Sequence, residues 1–321
     1  MVPARDGAVT ALSSTRAALA RVPAPLLIAG ASLLFALMGL CVKLASAQYS
    51  AGEIVFYRGL VGMGWMAALL KARGGTLRTR VPALHFWRSL SGVLALALWF
   101  YAIGHLPLAT AMTLNYTSSV WMAAFLVGAS VLRPGARTRI DTRLLLAVLA
   151  GFAGVALILR PTLEQRQLGF GLAGLASGLL AAVAYLKVGA LGRAGEPETR
   201  VVFYFSAGGV VAGALFTLAE GGPGAHSARG LALLLAIGTL ASAAQLMMTR
   251  AYSIGHTLSN AALQYLGIVF SFGFGVWLFH DPVTGLAIAG MLLIVVAGLS
   301  ATRASVRPLI PIPIPPTEGR P

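Results

Sequence analysis

Cysteine and acidic side chains are scarce in this chain. It has one cysteine, Cys41, and nine Asp and Glu residues against 24 Lys and Arg, and only 10% of its 321 residues are charged. A single thiol excludes a disulfide framework and a cysteine metal cluster. The acids are too scattered to form the carboxylate pair of a glycosidase, and no apolar run carries a two-histidine metal motif.

Nucleotide-binding loops are missing as well. The sequence contains no Gly-x-x-x-x-Gly-Lys-Ser/Thr loop, which excludes direct drive by ATP. Residues 169–174 (GFGLAG) match a dinucleotide fingerprint, but they lie in an apolar stretch without a surrounding βαβ unit, and we interpret them as helix packing. We therefore predict no catalytic residues, no metal, no cofactor and no enzyme activity.

Long hydrophobic runs take up most of the chain, which is 58% hydrophobic. Each run is long enough to cross about 30 Å of hydrocarbon as a helix. Ten membrane spans are predicted: 24–47, 52–70, 83–103, 108–132, 143–160, 169–192, 201–220, 230–252, 258–280 and 284–301.

The basic residues indicate how these spans are oriented. A formal net charge of +15 could suggest nucleic-acid binding, but the positive charges lie in short loops, as the positive-inside rule requires. The leader, loops 71–82, 133–143 and 193–200, the turn at Arg250 and the tail are rich in Lys and Arg. The intervening loops hold only Arg160, Arg166 and Arg229. This pattern predicts that both termini are cytoplasmic. It also predicts that the protein lies in a lipid bilayer and does not bind nucleic acid.

The two halves of the sequence resemble each other. Residues 101–105 (YAIGH) and 252–256 (YSIGH) each precede an apolar run with a polar middle, and residues 55–57 and 202–204 both read VFY. Five spans per half would insert the second half upside down. We predict an all-α integral membrane protein, with ten transmembrane helices as two inverted five-helix repeats around a central cavity. Its parts are a cytoplasmic leader (1–23), the repeats (24–160 and 161–301) and a Pro-rich cytoplasmic tail (302–321).

Several segments resemble a known family. Residues 53–58 (EIVFYR), 103–107 (IGHLP), 277–282 (WLFHDP) and 289–298 are similar to the EamA-type branch of the drug/metabolite transporter superfamily. The resemblance covers about residues 24–301 and implies inverted repeats, a central cavity and alternating access. Bacterial aromatic amino-acid exporters are the relatives it suggests. The chain departs from the family in lacking an acid near Arg133 and in having Asp281 in place of Glu.

Polar and aromatic residues within the spans are the candidate substrate-binding residues. Amides near mid-membrane can hold a zwitterion, although polar groups also join packed membrane helices. Rings suit apolar or aromatic side chains by stacking. Lysines in spans either face a cavity or reach towards the membrane surface. The candidates are Asn115, Gln245, Gln264, Trp99, Tyr101, Tyr116, Tyr185, Tyr265, Lys43 and Lys187.

Glu53, Arg58 and Arg88 are further charged residues in the predicted spans. Glu53 and Arg58 are candidates for a gating residue pair, as an ion pair or in the outer vestibule. Arg88 we interpret as an anchor at the cytoplasmic end of the third span.

The leading hypothesis is a secondary transporter in the bacterial inner membrane. It would move small metabolites, amino acids first, by export or facilitated exchange and by alternating access. The alternatives are a carrier of other metabolites, drugs or nucleotide-derived compounds and, in another class, a non-transporting scaffold or lipid-handling enzyme. The expected partner is a small-molecule substrate, and the sequence leaves a monomer and a homodimer both open.

Overall fold

The structure is a computed structural model that describes residues 22–106, 108–132, 142–159, 168–279 and 285–303. Within these ranges the chain forms helices and no strand, which agrees with the predicted all-α class. The helices are α1 (Ala24–Ala45), α2 (Ala51–Ala72), α3 (Pro82–His105), α4 (Leu108–Tyr116), α5 (Ser118–Leu132), α6 (Thr142–Leu159), α7 (Leu168–Arg193), α8 (Glu198–Ala219), α9 (Ala228–Ile254), α10 (Thr257–Leu263), α11 (Leu266–Phe279) and α12 (Gly285–Arg303). Most of the predicted leader and tail lies outside the described residues.

Local sequence explains several helix ends. Ser50 and Glu53 form a capping box at the start of α2: the Ser50 side chain accepts a hydrogen bond from the Glu53 N–H, and the Glu53 carboxylate accepts one from the Ser50 N–H. Ser227 caps α9 by accepting a hydrogen bond from the N–H of Gly230 at 3.0 Å. Gly195 follows the end of α7 with φ of +76°, a conformation that favours glycine.

Seven of the ten predicted spans coincide with helices that are long and apolar enough to cross a membrane. They are α1, α2, α3, α7, α8, α9 and the α10–α11 pair taken as Thr257–Leu278. The other three predicted spans coincide with α4–α5, α6 and α12. Of these, α6 and α12 contain shorter apolar segments, Leu145–Leu157 and Ile288–Ser300. The full set of ten spans remains a prediction.

Two predicted spans are interrupted near their polar residues. The fourth changes from α4 to α5 at Thr117, whose hydroxyl donates to the carbonyl of Leu114 at 2.6 Å. The ninth changes from α10 to α11 at Gln264 and Tyr265. A hydrogen bond from the Ser119 hydroxyl to the carbonyl of Ala261, 2.8 Å long, joins α5 to α10. The interruptions free backbone groups that a continuous helix would satisfy internally.

The most extensive helix contacts join the two halves of the chain. The pairs are α2 with α8, α3 with α7, α1 with α9, and α6 with α12. Glycines allow α2 to approach α8 closely: a Cβ on Gly59 would lie 2.7 Å from the carbonyl oxygen of Ser206, and one on Gly62 would lie 2.7 Å from its hydroxyl. By contrast, Gly64 faces open space.

Candidate functional site

A cavity of about 40 Å³ lies among α1, α3, α4, α7, α8 and α9. On α3 its lining runs from Arg88 to Trp99. At a rise of about 1.5 Å per residue, Arg88 lies about 9 Å from the start of α3 and Trp99 about 9 Å from its end. The cavity therefore lies in the middle of the bundle, and residues of both halves of the chain line it.

Aromatic rings form much of the cavity wall. They are Phe35, Trp99, Tyr116, Tyr185 and Phe205. Tyr185 stacks on Tyr252, with ring centroids 5.6 Å apart and an angle of 12° between the planes. The small residues Ala181 and Ala184 of α7 also line the cavity. Such a wall can pack against an apolar or aromatic part of a bound molecule.

Asn115 contributes an amide to the wall where α4 ends. Its Nδ2 donates to the hydroxyl of Ser177 at 3.0 Å, and that hydroxyl donates to the carbonyl of Gly174 at 2.5 Å. Both Asn115 and Ser177 are buried. Because α7 fixes the amide in this way, the side chain of Asn115 is held in one orientation at the cavity surface.

Arg88 is the one charged side chain among the described residues that line the cavity. It is 2% exposed, and its Nη2 donates to Oε1 of Gln245 at 3.3 Å. Its Cζ lies 4.1 Å from the ring centroid of Phe205, over the ring. Arg58, 3% exposed, lies over the same ring with its Cζ at 5.0 Å. Two guanidinium groups and one aromatic ring therefore form a positively charged cluster at the cavity.

A polar network links the halves at one end of the bundle. Glu196, in the turn between α7 and α8, accepts hydrogen bonds from Thr79 at 2.8 Å and from Arg200 at 2.9 Å, and its Oε2 lies 3.1 Å from Nε2 of His85. Burial disfavours the carboxylate, but the hydrogen bonds outweigh burial and lower the pKa of Glu196. Arg200 also donates to the carbonyl of Thr76 at 2.9 Å.

A second network links the halves at the opposite end of α2. The carboxylate of Glu53 accepts a hydrogen bond from the N–H of Gly224 at 3.0 Å, and that of Glu220 accepts one from the N–H of Gly52 at 3.0 Å. Gln48 donates to the carbonyl of Ala225 at 2.8 Å. The cavity thus lies between two sets of contacts that join the start and the end of α2 to the second half.

Known proteins with similar sequences identify the family of this chain. The EamA-like transporter family model matches residues 22–160. A protein of Pseudomonas aeruginosa, the pseudopaline exporter CntI, is 35% identical over 275 residues, which cover 85% of this chain and 93% of the exporter. The same match is found in a second strain of that bacterium. The chain belongs to the EamA-like transporter family. It is therefore a multi-pass membrane protein and a transporter.

A solved crystal structure shares the fold. It aligns with a TM-score of 0.72, covering 87% of this transporter and 96% of that chain, at 19% sequence identity. At this level of identity the match shows the fold alone.

Five of the ten predicted substrate-binding residues of the transporter lie in the cavity wall. They are Trp99, Asn115, Tyr116, Tyr185 and Gln245. Among the rest, Tyr101 is 41% exposed and packs against His105 and Phe170, so it faces away from the cavity. Gln264 and Tyr265 are buried at the interruption of the ninth span, outside the lining.

The two predicted lysines lie elsewhere. Nζ of Lys43 donates to the carbonyls of Ile103 at 2.9 Å and Leu106 at 2.8 Å. These are carbonyls at the end of α3 that the helix cannot satisfy itself, so Lys43 caps that end, outside the described cavity lining. Lys187 is half-buried on α7 and is not part of the lining.

Glu53 and Arg58 do not form the predicted ion pair. Five residues along a helix correspond to about 140° of rotation, so the two side chains leave α2 on different faces. Glu53 caps α2 and accepts the hydrogen bond from Gly224, whereas Arg58 lies over Phe205. Arg88, interpreted from the sequence as a surface anchor, is buried in the cavity wall instead.

Sequence reasoning missed the charged cluster and Phe205. The available signal was the pair of arginines inside apolar spans, since charges at such depth face a cavity or a partner. No three His, Cys, Asp or Glu side chains among the described residues group as a metal site would require.

Proposed function

We propose that this protein is a secondary transporter that exports small organic metabolites through the central cavity by alternating access. The observation that carries the proposal is the cavity itself, which lies at mid-bundle, is lined by both halves and combines rings, amides and a charge. Amino acids and related compounds are the first substrate candidates. The similar pseudopaline exporter supports export, and favours a metabolite other than a standard amino acid as the second candidate.

The architecture we propose for this function is ten membrane spans in two inverted repeats. The helix pairing supports it. The first helix of each half packs on the third helix of the other half, α1 on α9 and α7 on α3. The helices in equivalent positions, α2 with α8 and α6 with α12, pack on each other. The interruptions at Thr117 and at Gln264 fall in the fourth span of each half. Broken helices at mid-membrane are typical of transporter binding sites. Loop charge further supports cytoplasmic termini in a bacterial inner membrane.

The size of the cavity indicates that the helices must move during transport. Binding sites for small molecules usually measure about 300–1,000 Å³. A volume of about 40 Å³ is too small for a metabolite. The networks around Glu196 and around Glu53 would have to separate in turn, so that the cavity opens to one side at a time.

Transport by purified protein in liposomes tests the proposal. Labelled amino acids would be offered with and without a pH gradient, and extracts of bacterial metabolites would be offered to find other substrates. Ala184→Phe places a ring in the cavity wall, and Ala232→Phe is the matched control on the exposed surface of α9. We expect saturable transport by the wild type and Ala232→Phe, reduced at least about tenfold in Ala184→Phe.

Two results would count against the proposal. If the folded wild type moves neither amino acids nor any extracted metabolite, the transport function is wrong. If Ala184→Phe, shown to be folded, transports as well as Ala232→Phe, the substrate does not pass through this cavity.

A further inference from the structure

The charged cluster has no acidic partner among the residues that the structure describes. Arg58 and Arg88 make no ion pair, since the ion pairs there involve His85 with Glu196, Arg200 with Glu196, and Arg250 with Glu198. Glu53 and Glu220, the other acids in this part of the chain, bind backbone N–H groups of loops and helix ends. A buried charge without a counter-charge destabilises the fold, so a bound anion would stabilise this pair of guanidinium groups.

Three of the six guanidinium nitrogens in the cluster have no hydrogen-bond partner among the described residues. Nε and Nη1 of Arg88 and Nε of Arg58 are buried without a partner in the described structure. The partners that do exist are neutral: the amide oxygen of Gln245 and the ring of Phe205. Unsatisfied buried donors are rare in proteins and often mark a site completed by a bound group. Arg88 presents these donors in the wall of the cavity.

The missing side chain of Gly92 helps to keep the guanidinium of Arg88 in place. A Cβ on Gly92 would overlap with Nη1 of Arg88 and lie 3.0 Å from the ring of Phe205. Gly92 itself lines the cavity. The sequence thus leaves room for the guanidinium of Arg88 one turn along α3, where any side chain would compete for the same space.

We propose that Arg88, supported by the charge of Arg58, binds an oxyanion of the transported molecule, so that the substrate is a net-anionic metabolite with an apolar part. This rests on the proposed transport function. A guanidinium group matches carboxylate and phosphate oxygens with parallel N–H donors. Trp99, Tyr116 and Tyr185 face the apolar part.

The same geometry narrows the proposed substrates: among amino acids and related compounds, it favours molecules with a net negative charge over a simple zwitterion. The described lining contains no carboxylate that could pair with an ammonium group. A neutral amino acid would satisfy Arg88 with its carboxylate, but its ammonium group would be left with amides and rings. A molecule with more negative than positive charges matches two guanidinium groups better.

Binding of four related probes tests the charge preference. They are 3-phenylpropionate, phenyl phosphate, phenylalanine and phenylethylamine, offered to the full chain in lipid nanodiscs. Binding is followed by tryptophan fluorescence and by the shift in unfolding temperature. We expect the wild type to bind one or both anions at least about tenfold more tightly than the zwitterion or the cation. The two anions distinguish a carboxylate site from a phosphate site.

Two variants test the role of Arg88 by different routes. Arg88→Gln removes the charge, and Gln245→Glu keeps Arg88 but gives it an internal carboxylate at the position of its present 3.3 Å partner. Both should weaken anion binding about 10- to 100-fold. Gln245→Glu should fold as well as the wild type or better, because it neutralises a buried charge. Arg78→Gln, on the exposed loop before α3, is the matched control and should bind as the wild type does.

The outcomes separate this inference from the proposed function. Equal anion affinity in the wild type and both cavity variants would overturn the oxyanion site, as would a preference for phenylethylamine or no saturable binding of either anion to folded wild type. In those cases the proposed function would still hold if the wild type transports a substrate and Ala184→Phe does not. If the folded wild type transports nothing, the proposed function itself is wrong.

Discussion

Gly92 lies one turn after Arg88 on α3, and its missing side chain leaves the space that Nη1 of Arg88 occupies. Gly92→Ala should therefore push the guanidinium away from the ring of Phe205. We expect the affinity for 3-phenylpropionate or phenyl phosphate to fall about tenfold, measured by tryptophan fluorescence in nanodiscs.

Gly64→Ala is the control for that substitution. It also changes a glycine inside a membrane helix, but no atom lies within 4 Å of the added Cβ. Its anion affinity should equal that of the wild type. Equal affinity in Gly92→Ala would contradict the role given to the space beside Arg88.

The membrane fold was largely predictable because hydrophobic length and loop charge are coarse properties that do not depend on how helices pack. The spans α1, α2 and α3 were predicted to within a few residues of their observed bounds. The interruptions at Thr117 and Gln264 were not predicted. They depend on hydrogen bonds such as that from Thr117 to Leu114, which compete locally with a continuous helix.

Half of the predicted substrate-binding residues lie outside the cavity lining, because a helix that is apolar all round does not show which face points inward. Trp99 and Tyr101 are two residues apart on α3, about 200° around the helix, so only one of them can line the cavity. The depth of Arg88 was misjudged for a related reason. A position about 9 Å from a helix end can be reached by solvent or sealed by neighbours, and α8 and α9 seal it here.

Asn115 and Gln264 should differ in their effect on transport, although the sequence suggested both as ligands. Asn115 lines the cavity and is held by Ser177, whereas Gln264 is buried outside the lining. We expect Asn115→Ala to raise the KM for the identified substrate about three- to tenfold, as loss of one hydrogen bond would. Gln264→Ala should leave the KM within about twofold of the wild type. A larger KM effect in Gln264→Ala than in Asn115→Ala would show that the substrate binds nearer the α10–α11 interruption.

Lys43 should matter for stability rather than for substrate affinity. Its ammonium group donates to the carbonyls of Ile103 and Leu106 at the end of α3. Lys43→Met keeps the length of the side chain but removes these charged hydrogen bonds, which should lower the free energy of unfolding by about 1.5–3 kcal/mol. Thermal unfolding in nanodiscs measures this effect.

Lys187→Met is the matched control. Lys187 is half-buried on α7 outside the lining, and its side chain makes no hydrogen bond within the described part of the chain. It should unfold close to the wild-type temperature. An increase in KM with unchanged stability in Lys43→Met would instead restore Lys43 as a substrate ligand.

Glu196 should make the stability of the folded transporter depend on acidity. Hydrogen bonds from Thr79 and Arg200 and the contact with His85 lower the pKa of Glu196 below its ordinary value of 4.5, against the effect of burial. A carboxyl with a lowered folded pKa stabilises the fold fully above its unfolded pKa, and that contribution is lost as the pH falls through the folded pKa. At neutral pH, Glu196→Gln should therefore unfold more easily than the wild type, by about 1–3 kcal/mol. The difference should shrink as the pH falls below about 4.5.

Thr79→Val is the control, because it removes one donor without changing the charge. It should lower the free energy of unfolding by less than Glu196→Gln does. A gap between wild type and Glu196→Gln that stays constant from pH 7 to below pH 4 would mean that the carboxylate of Glu196 does not hold this end of the bundle together.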